Sequence, residues 1–115
     1  MGQTLRYHTI DDLPDVKFWW FSEDGNLIDF STGSPTWTFK IGLPGSSALV
    51  TKTSGITGAA GSGVQPTGTP NVTLVWTAGD LASVTPGNYQ WQLTARISGK
   101  DRTESGPFIV DDVIS

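Results

Sequence analysis

The segment Asn88 to Ser98 constrains the fold more than any other part of this chain. It follows a Pro-Gly turn and alternates large apolar side chains with polar ones. A period of two residues places alternate side chains on opposite faces of a β-strand. The segment therefore predicts a long amphipathic strand with one face in a core. The residues predicted to face inward are Tyr89, Trp91, Leu93, Ala95 and Ile97.

Shorter segments with the same alternation recur along the chain, separated by turn residues. The segment 16–31 predicts a β-hairpin, in which VKFWWFS and NLIDFS pair across a turn at Asp24-Gly25. AGDLASVTPG predicts one short helical turn, and SGKDR predicts a turn before the closing strand. Six to eight short strands without a convincing amphipathic helix are typical of an all-β antiparallel sandwich. The further predicted strands are TWTFKIG, SALVTKT, VTLVWT and TESGPFIVDD.

Two segments stand apart from this pattern. Residues 1–14 predict an N-terminal arm or edge strand, since TLRYHTI can form a strand and Pro14 follows it. Residues 54–71 are almost entirely Gly, Ser, Thr, Pro and Ala, which predicts one long, flexible loop. Residues 15–115 then form a single sandwich domain. Within its last strand, Gly106-Pro107 predicts a bulge or an edge position, because proline cannot donate to a ladder.

Composition restricts the classes of function. A chain of 115 residues is one domain's length, and the absence of cysteine rules out disulfides and thiolate zinc sites. The net charge is −4 and the seven Lys and Arg residues are scattered, which disfavours binding to nucleic acid. No apolar run approaches the roughly 20 residues that span a bilayer. We therefore expect neither a nucleic-acid nor a membrane partner, and assembly in a reducing cytoplasm.

The sequence offers little for catalysis. Its one histidine, His8, lies in the arm, and neither a GxSxG elbow nor a P-loop is present. Acidic residues cluster at Asp11 to Asp15, at Glu23-Asp24 and at Asp111-Asp112, without the spacing of a calcium loop. We expect a protein that is not an enzyme and has no metal, cofactor or catalytic residue.

The aromatic residues separate into two groups. Trp20, Trp37, Trp76 and Trp91 lie on apolar faces, and we assign the last three, with Tyr89, to the structural core. Trp19 and Phe21 lie on the opposite face of their strand from Trp20. They are therefore covered by the arm, part of a partner interface or, for Trp19, a platform for a sugar. The candidate partner-contact residues are Leu5, Tyr7, Trp19 and Phe21.

Tyr89 has two interpretations. In immunoglobulin-like sandwiches a tyrosine near the start of a late strand donates a hydrogen bond back across the corner that precedes it. Tyr89 matches that tyrosine, and Trp91 then occupies the core position two residues later. Alternatively, Tyr89 is only the first inward residue of an amphipathic strand.

The order of these motifs resembles the immunoglobulin-like domain at the N-terminus of tailed-phage baseplate upper proteins. It is also similar to short virion proteins of phages that infect actinobacteria. The resemblance covers about residues 16–112. It rests on a D-x-N-x-x-x-D-[LF]-[ST] segment and a later G-x-Y strand, here Asp24, Asn26, Asp29, Phe30 and Ser31, then Gly87, Tyr89, Trp91 and Leu93.

This resemblance implies a non-enzymatic virion structural protein, in capsid decoration or in a tail or baseplate. Such a subunit attaches in many symmetric copies to other virion proteins, is homo-oligomeric in the particle, and is assembled in the bacterial host cytoplasm. The longer baseplate proteins continue into further domains, whereas this chain stops at Ser115, which implies a stand-alone subunit. The alternative function is a carbohydrate-binding or adhesin-type β-sandwich module that uses Trp19.

Overall fold

The computed structural model describes residues 4–8, 15–64, 67–77, 79–81 and 84–111, with only the backbone described for Tyr7 and His8. These residues form two facing β-sheets and no helix, so the all-β prediction is confirmed. The large sheet has the strand order β1-β8-β7-β3-β4, and the small sheet has the order β2-β6-β5. The strands are β1 (Leu5–His8), β2 (Val16–Phe18), β3 (Thr36–Gly42), β4 (Val50–Lys52), β5 (Ile56–Gly58), β6 (Val72–Leu74), β7 (Gly87–Ile97) and β8 (Lys100–Asp111).

The strand predicted from the alternating segment is β7, at the centre of the large sheet. It pairs with β3 on one side and with β8 along its whole length on the other. Trp91, Leu93 and Ala95 are fully buried, as the alternation predicts. The turn into β8 consists only of Ser98 and Gly99, with φ angles of 53° and 79°. Positive φ at both positions suits a tight hairpin, so the predicted turn SGKDR is longer than the observed one.

Strand β8 runs through Gly106-Pro107 without a bulge. Gln90 lies opposite Pro107 and Trp91 opposite Gly106 in an unbroken register. On the other side of β8, β1 pairs only with the segment Phe108–Asp111. Among the described residues, no strand pairs with Pro107 on that outer side of β8. A strand tolerates proline at such a position, because no neighbour requires its missing backbone N–H.

The N-terminal segment contributes β1, the edge strand of the large sheet. It runs parallel to β8, with Leu5 opposite Phe108. This register turns Leu5 into the core, where 6% of its surface is exposed. On the outside, Arg6 Nη1 contacts the two carboxylate oxygens of Asp111 at 2.7 and 2.9 Å. Residues 9–14 of the predicted arm lie outside the described part.

The predicted hairpin over 16–31 is present only in its turn. Strand β2 pairs with β6 instead, where Val16 and Phe18 lie opposite Leu74 and Val72. Between the predicted partners, the ladder is reduced to one bridge, Phe21 with Leu27. The segment NLIDFS does not continue the ladder, because the Asp29 carboxylate accepts the Ser31 backbone N–H at 2.9 Å. This local bond competes with strand pairing.

The segment 54–71 is more ordered than its composition predicts. It begins with β5, which pairs with β6 and buries Ile56. A Cβ atom at Gly58 would lie 2.5 Å from the Cβ of Phe30, so the glycine lets that aromatic ring pack against β5. Further along, a bridge joins Ser62 and Thr69. A single apolar residue among small ones hides this strand from a pattern based on alternation.

Aromatic rings fill the space between the two sheets. Phe18 of the small sheet contacts Trp91 of the large one, with ring centroids 5.2 Å apart. Phe39 lies between Trp91 and Trp76, at 6.0 and 5.7 Å. Stacked, tilted and edge-on pairs at these separations stabilise a core beyond the area that they bury. The rings therefore hold the two sheets together along the centre of the molecule.

Asn71 is the fully buried polar residue that ties the small sheet to the turn region. Its Oδ1 accepts the Trp20 backbone N–H at 2.8 Å. Its Nδ2 donates to the carbonyls of Trp20 and Ile28 at 2.8 and 2.9 Å. Backbone groups that would pair in a longer hairpin thus bond to one side chain. Asn71 satisfies these groups where the ladder ends.

Of the two interpretations of Tyr89, the corner interpretation requires a hydrogen bond to the preceding backbone, and this bond is present. The Tyr89 hydroxyl donates to the backbone carbonyl of Thr85 at 2.7 Å, four residues upstream. The Tyr89 ring packs against the core from a half-buried position. Just before this corner, residues 79–81 form a turn in which Asp80 N bonds to Thr77 O. Residues 78, 82 and 83 of the predicted helical turn lie outside the described part.

We expect Asn71→Ala to lower the free energy of unfolding by about 3 kcal/mol, because buried backbone groups lose their only side-chain partner. Chemical denaturation followed by tryptophan fluorescence measures this change. Asn88→Ala is the matched control, since Asn88 is exposed on β7 and its loss should change stability by less than about 0.5 kcal/mol. Equal effects of the two substitutions would contradict the role of Asn71.

We expect Tyr89→Phe to lower the free energy of unfolding by about 1 kcal/mol, the usual net value of one hydrogen bond. Thr85→Val separates the two contacts of the Tyr89 hydroxyl, because it removes the one with Thr85 Oγ1 at 3.1 Å and keeps the backbone carbonyl that accepts the bond. An unchanged denaturation midpoint for Tyr89→Phe would mean that Tyr89 contributes only packing.

Candidate interaction surfaces

The candidate partner-contact residues do not share one environment. Leu5 lies in the core, so its side chain is not exposed to a partner in the isolated chain. Tyr7 belongs to β1, and its side chain lies outside the described part. Trp19 and Phe21 follow β2 in the other sheet, where Trp19 is half-buried and Phe21 is 41% exposed. Of the residues assigned to the core, Trp37, Trp76 and Trp91 are buried and Tyr89 is half-buried.

The indole N–H of Trp19 is not available to a ligand at the surface. Its indole Nε1 is buried and has no hydrogen-bond partner among the described residues. A saccharide platform combines an exposed ring face with polar groups that converge on the ligand. Because the only polar atom of Trp19 points inward, it cannot bond to a ligand on the surface.

Phe21 begins a surface that we call the acidic turn, residues 21–29. The turn is closed by a hydrogen bond from Ser22 N to Asn26 O at 2.8 Å. The Asp24 carboxylate accepts hydrogen bonds from the Ser22 hydroxyl and from Asn26 N, and these bonds lower its pKa, that from Ser22 most. Asp24 is therefore ionised at neutral pH, beside the exposed side chain of Glu23.

Asp29, at the end of the acidic turn, behaves in the same way. The Ser31 hydroxyl and backbone N–H donate to its Oδ1 at 2.5 and 2.9 Å. These two bonds lower the pKa of Asp29, the hydroxyl more than the N–H. The acidic turn thus presents fixed negative charges next to an exposed aromatic ring.

A second surface lies on the outer face of the large sheet, and we call it the sheet cleft. It encloses about 350 Å³ between the strands and the loop 43–48. Lys40, Gln92 and Ser105 form a row across it, because β3, β7 and β8 place them opposite one another. Gln90 and the exposed side chain of Leu43 complete the walls.

The polar side chains of the sheet cleft are available to a ligand. Among the described residues, the structure records no hydrogen bond or ion pair for the side chains of Lys40, Gln90 and Gln92. The three are exposed and belong to adjacent strands of one sheet face. The cleft therefore offers one ammonium and two carboxamides at fixed spacing, a combination suited to a carboxylate.

A partly buried ion pair lies at the free edge of the large sheet. Lys52, on the edge strand β4, points inward with 4% of its side chain exposed, and its Nζ lies 2.8 Å from Asp80 Oδ2. The backbone N–H and hydroxyl of Thr77 also donate to this carboxylate, at 2.8 and 2.9 Å. Burial raises the pKa of Asp80, but the hydrogen bonds from Lys52 and Thr77 together outweigh it and lower the pKa.

Alternation places Lys52 on the inward face of β4, but no sequence pattern connects it to Asp80, 28 residues later. The pair fastens the edge strand to the turn 79–81. A cleft of about 380 Å³ runs beside β4, between residues 49–54 and that turn.

The described residues contain no group of three or more side chains arranged to hold a metal ion. Asp11, Asp12 and Asp112 lie outside the described part, as does the side chain of His8. No helix in the part of the chain that the structure describes is long and apolar enough to cross a membrane.

No protein-family model, curated protein or solved structure matches this chain.

We expect Asp80→Asn to lower the free energy of unfolding by about 3 kcal/mol at pH 7, because it leaves the Lys52 ammonium buried without a countercharge. The folded-state pKa of Asp80 is depressed below 3.8. The stabilisation is thus fully present above that value and is lost as the pH falls through the folded pKa. Denaturation at pH 7 and at successively lower pH measures the narrowing difference between wild type and variant.

The double variant Lys52→Met, Asp80→Asn is the control, since an apolar side chain replaces the buried charge. It should recover most of the stability lost in Asp80→Asn. A double variant as unstable as the single one would contradict the ion-pair explanation.

Proposed function

We propose that this chain is a non-enzymatic structural subunit of a bacteriophage virion, with an immunoglobulin-like sandwich that attaches in many symmetric copies to capsid or tail proteins. The motif order in the sequence supports the phage assignment through its resemblance to virion proteins. The hydrogen bond from Tyr89 to the Thr85 carbonyl supports the immunoglobulin-like class. Assembly in the bacterial host cytoplasm accords with a chain without cysteine.

The observation that carries the proposal is the open edge of β4. Natural edge strands are usually protected by outward charges, proline or a covering segment. The only lysine of β4 is turned inward and neutralised by Asp80. Among the described residues, no strand pairs with the outer side of β4, where Thr51 is exposed.

Exposed apolar side chains flank this edge. Leu43 and Leu49, at the two ends of the loop before β4, are 50% and 47% exposed. An open edge beside apolar side chains is a liability for a free monomer, but it suits a subunit that buries it against a neighbour. Partner strands can pair with such an edge through main-chain hydrogen bonds, while the apolar side chains add buried area.

Many identical copies make such contacts effective. A single contact through this edge is weak, but a symmetric scaffold engages several copies at once and gains affinity through avidity. A role of this kind requires a rigid domain with defined surfaces. The aromatic core provides that rigidity, because its rings pack between both sheets.

The test is quantitative mass spectrometry of density-purified particles, produced from the genome that encodes this chain. We expect the chain at a fixed ratio to the major capsid or tail protein, and immunogold labelling at one repeated position. Particles that lack the chain would overturn the proposal. Specific binding of the free protein to a glycan array, with no particle association, would favour the carbohydrate-binding alternative.

A further inference from the structure

We propose that the acidic turn of one copy docks into the sheet cleft of a second copy, so that the chains associate head to tail. This inference rests on the proposed function, which it deepens by naming the two surfaces through which copies of the chain meet. Charge complementarity between the two surfaces is the observation that commits the cleft to a second copy.

The cleft supplies the positive partner. The chain carries only seven Lys and Arg residues, and Lys40 stands exposed at the cleft with no recorded ion-pair or hydrogen-bond partner among the described residues. Gln92 lies directly opposite it, and Gln90 lies two residues along the same strand. These carboxamides donate in the directions that a carboxylate entering beside Lys40 would require.

The acidic turn supplies the negative partner. Glu23 and Asp24 are exposed, and local hydrogen bonds keep Asp24 ionised by lowering its pKa. Phe21, beside them, is 41% exposed. Its ring finds an apolar counterpart at the cleft, where Leu43 and Pro44 are exposed. Both surfaces thus combine an apolar patch with charged side chains, and the charges on the two surfaces have opposite sign.

The two surfaces are too far apart to meet within one chain. Trp20 directly precedes the acidic turn, and its ring contacts Phe30, whose ring in turn contacts Trp37. Trp37 lies opposite Ala95 on β7, whereas the cleft lies at Gln90. Five residues of strand separate these positions by roughly 17 Å. The turn also follows β2 of the small sheet along the chain, whereas the cleft lies on the outer face of the large sheet.

This separation determines the symmetry of the association. A contact between two different surfaces is heterologous, so each copy keeps one free turn or cleft for the next copy. Repetition then produces a ring or an open chain. Such closed rings are one form in which a subunit can surround a capsid vertex or a tail.

The test compares wild type with two charge reversals, Lys40→Glu and Glu23→Lys, by light scattering after size exclusion and by sedimentation velocity over a concentration series. We expect wild type to form oligomers that dissociate as salt is raised. Each reversal should weaken association by about tenfold or more, since it places like charges together. Lys100→Glu, an exposed lysine on β8 outside the cleft, is the matched control and should associate like wild type.

Mixing the two reversed proteins distinguishes this arrangement from others. The reversed cleft of Lys40→Glu complements the reversed turn of Glu23→Lys, so the mixture should associate again, and so should the double variant. Thermal unfolding serves as the folding control: a melting temperature equal to that of wild type shows that the charge change leaves the fold of each variant intact. Reversals that leave association unchanged, or a mixture that stays monomeric, would overturn the inference.

The outcome separates this inference from the proposed function. A chain present in particles at a fixed ratio, yet monomeric in solution up to about 1 mM and unaffected by Lys40→Glu, would overturn the head-to-tail contact and keep the virion role. Head-to-tail oligomers of a chain that is absent from particles would keep the contact and overturn the virion role.

Discussion

The burial of one face of β7 is the constraint on which the rest of the structure depends. A central strand with Trp91 on its inner face must be covered, and the large sheet cannot cover its own face. The small sheet does so through Phe18, whose ring contacts Trp91 at 5.2 Å. The small sheet has three short strands in the described part of the chain, so backbone groups just beyond its strand ends require other hydrogen-bond partners. Asn71 provides such a partner.

The sequence was sufficient to predict strands in which buried and exposed side chains alternate. The alternation in β3 and β7 predicted both strands and their buried faces, and one of the two interpretations of Tyr89, the sandwich corner, includes the hydrogen bond that is present. It was insufficient where a distant residue decides the pairing. Strand β2 pairs with β6 rather than with the nearby NLIDFS because Asn71 and Asp29 bond to the backbone groups that a hairpin would use.

The candidate surfaces also differ in whether local alternation or distant residues determine them. Exposure of Phe21 follows from its place opposite Trp20 in the sequence alternation. The sheet cleft could not be predicted, because Lys40, Gln92 and Ser105 come from three strands and meet only through register. The inward position of Lys52 is likewise explained by Asp80, whose Oδ2 lies 2.8 Å from the Lys52 Nζ. Local periodicity identifies faces, whereas sites formed across strands depend on tertiary pairing.

A head-to-tail virion subunit accounts for features that a free monomer does not require. These are an edge strand without an outward charge, an exposed aromatic ring beside fixed carboxylates, and the Lys40 ammonium, for which the described residues record no partner. Electron cryo-microscopy of the intact particle tests this account most directly. It predicts symmetric density for the sandwich, with Phe21 of each copy against Leu43 of the next. A particle whose density is fully explained by other proteins would contradict it.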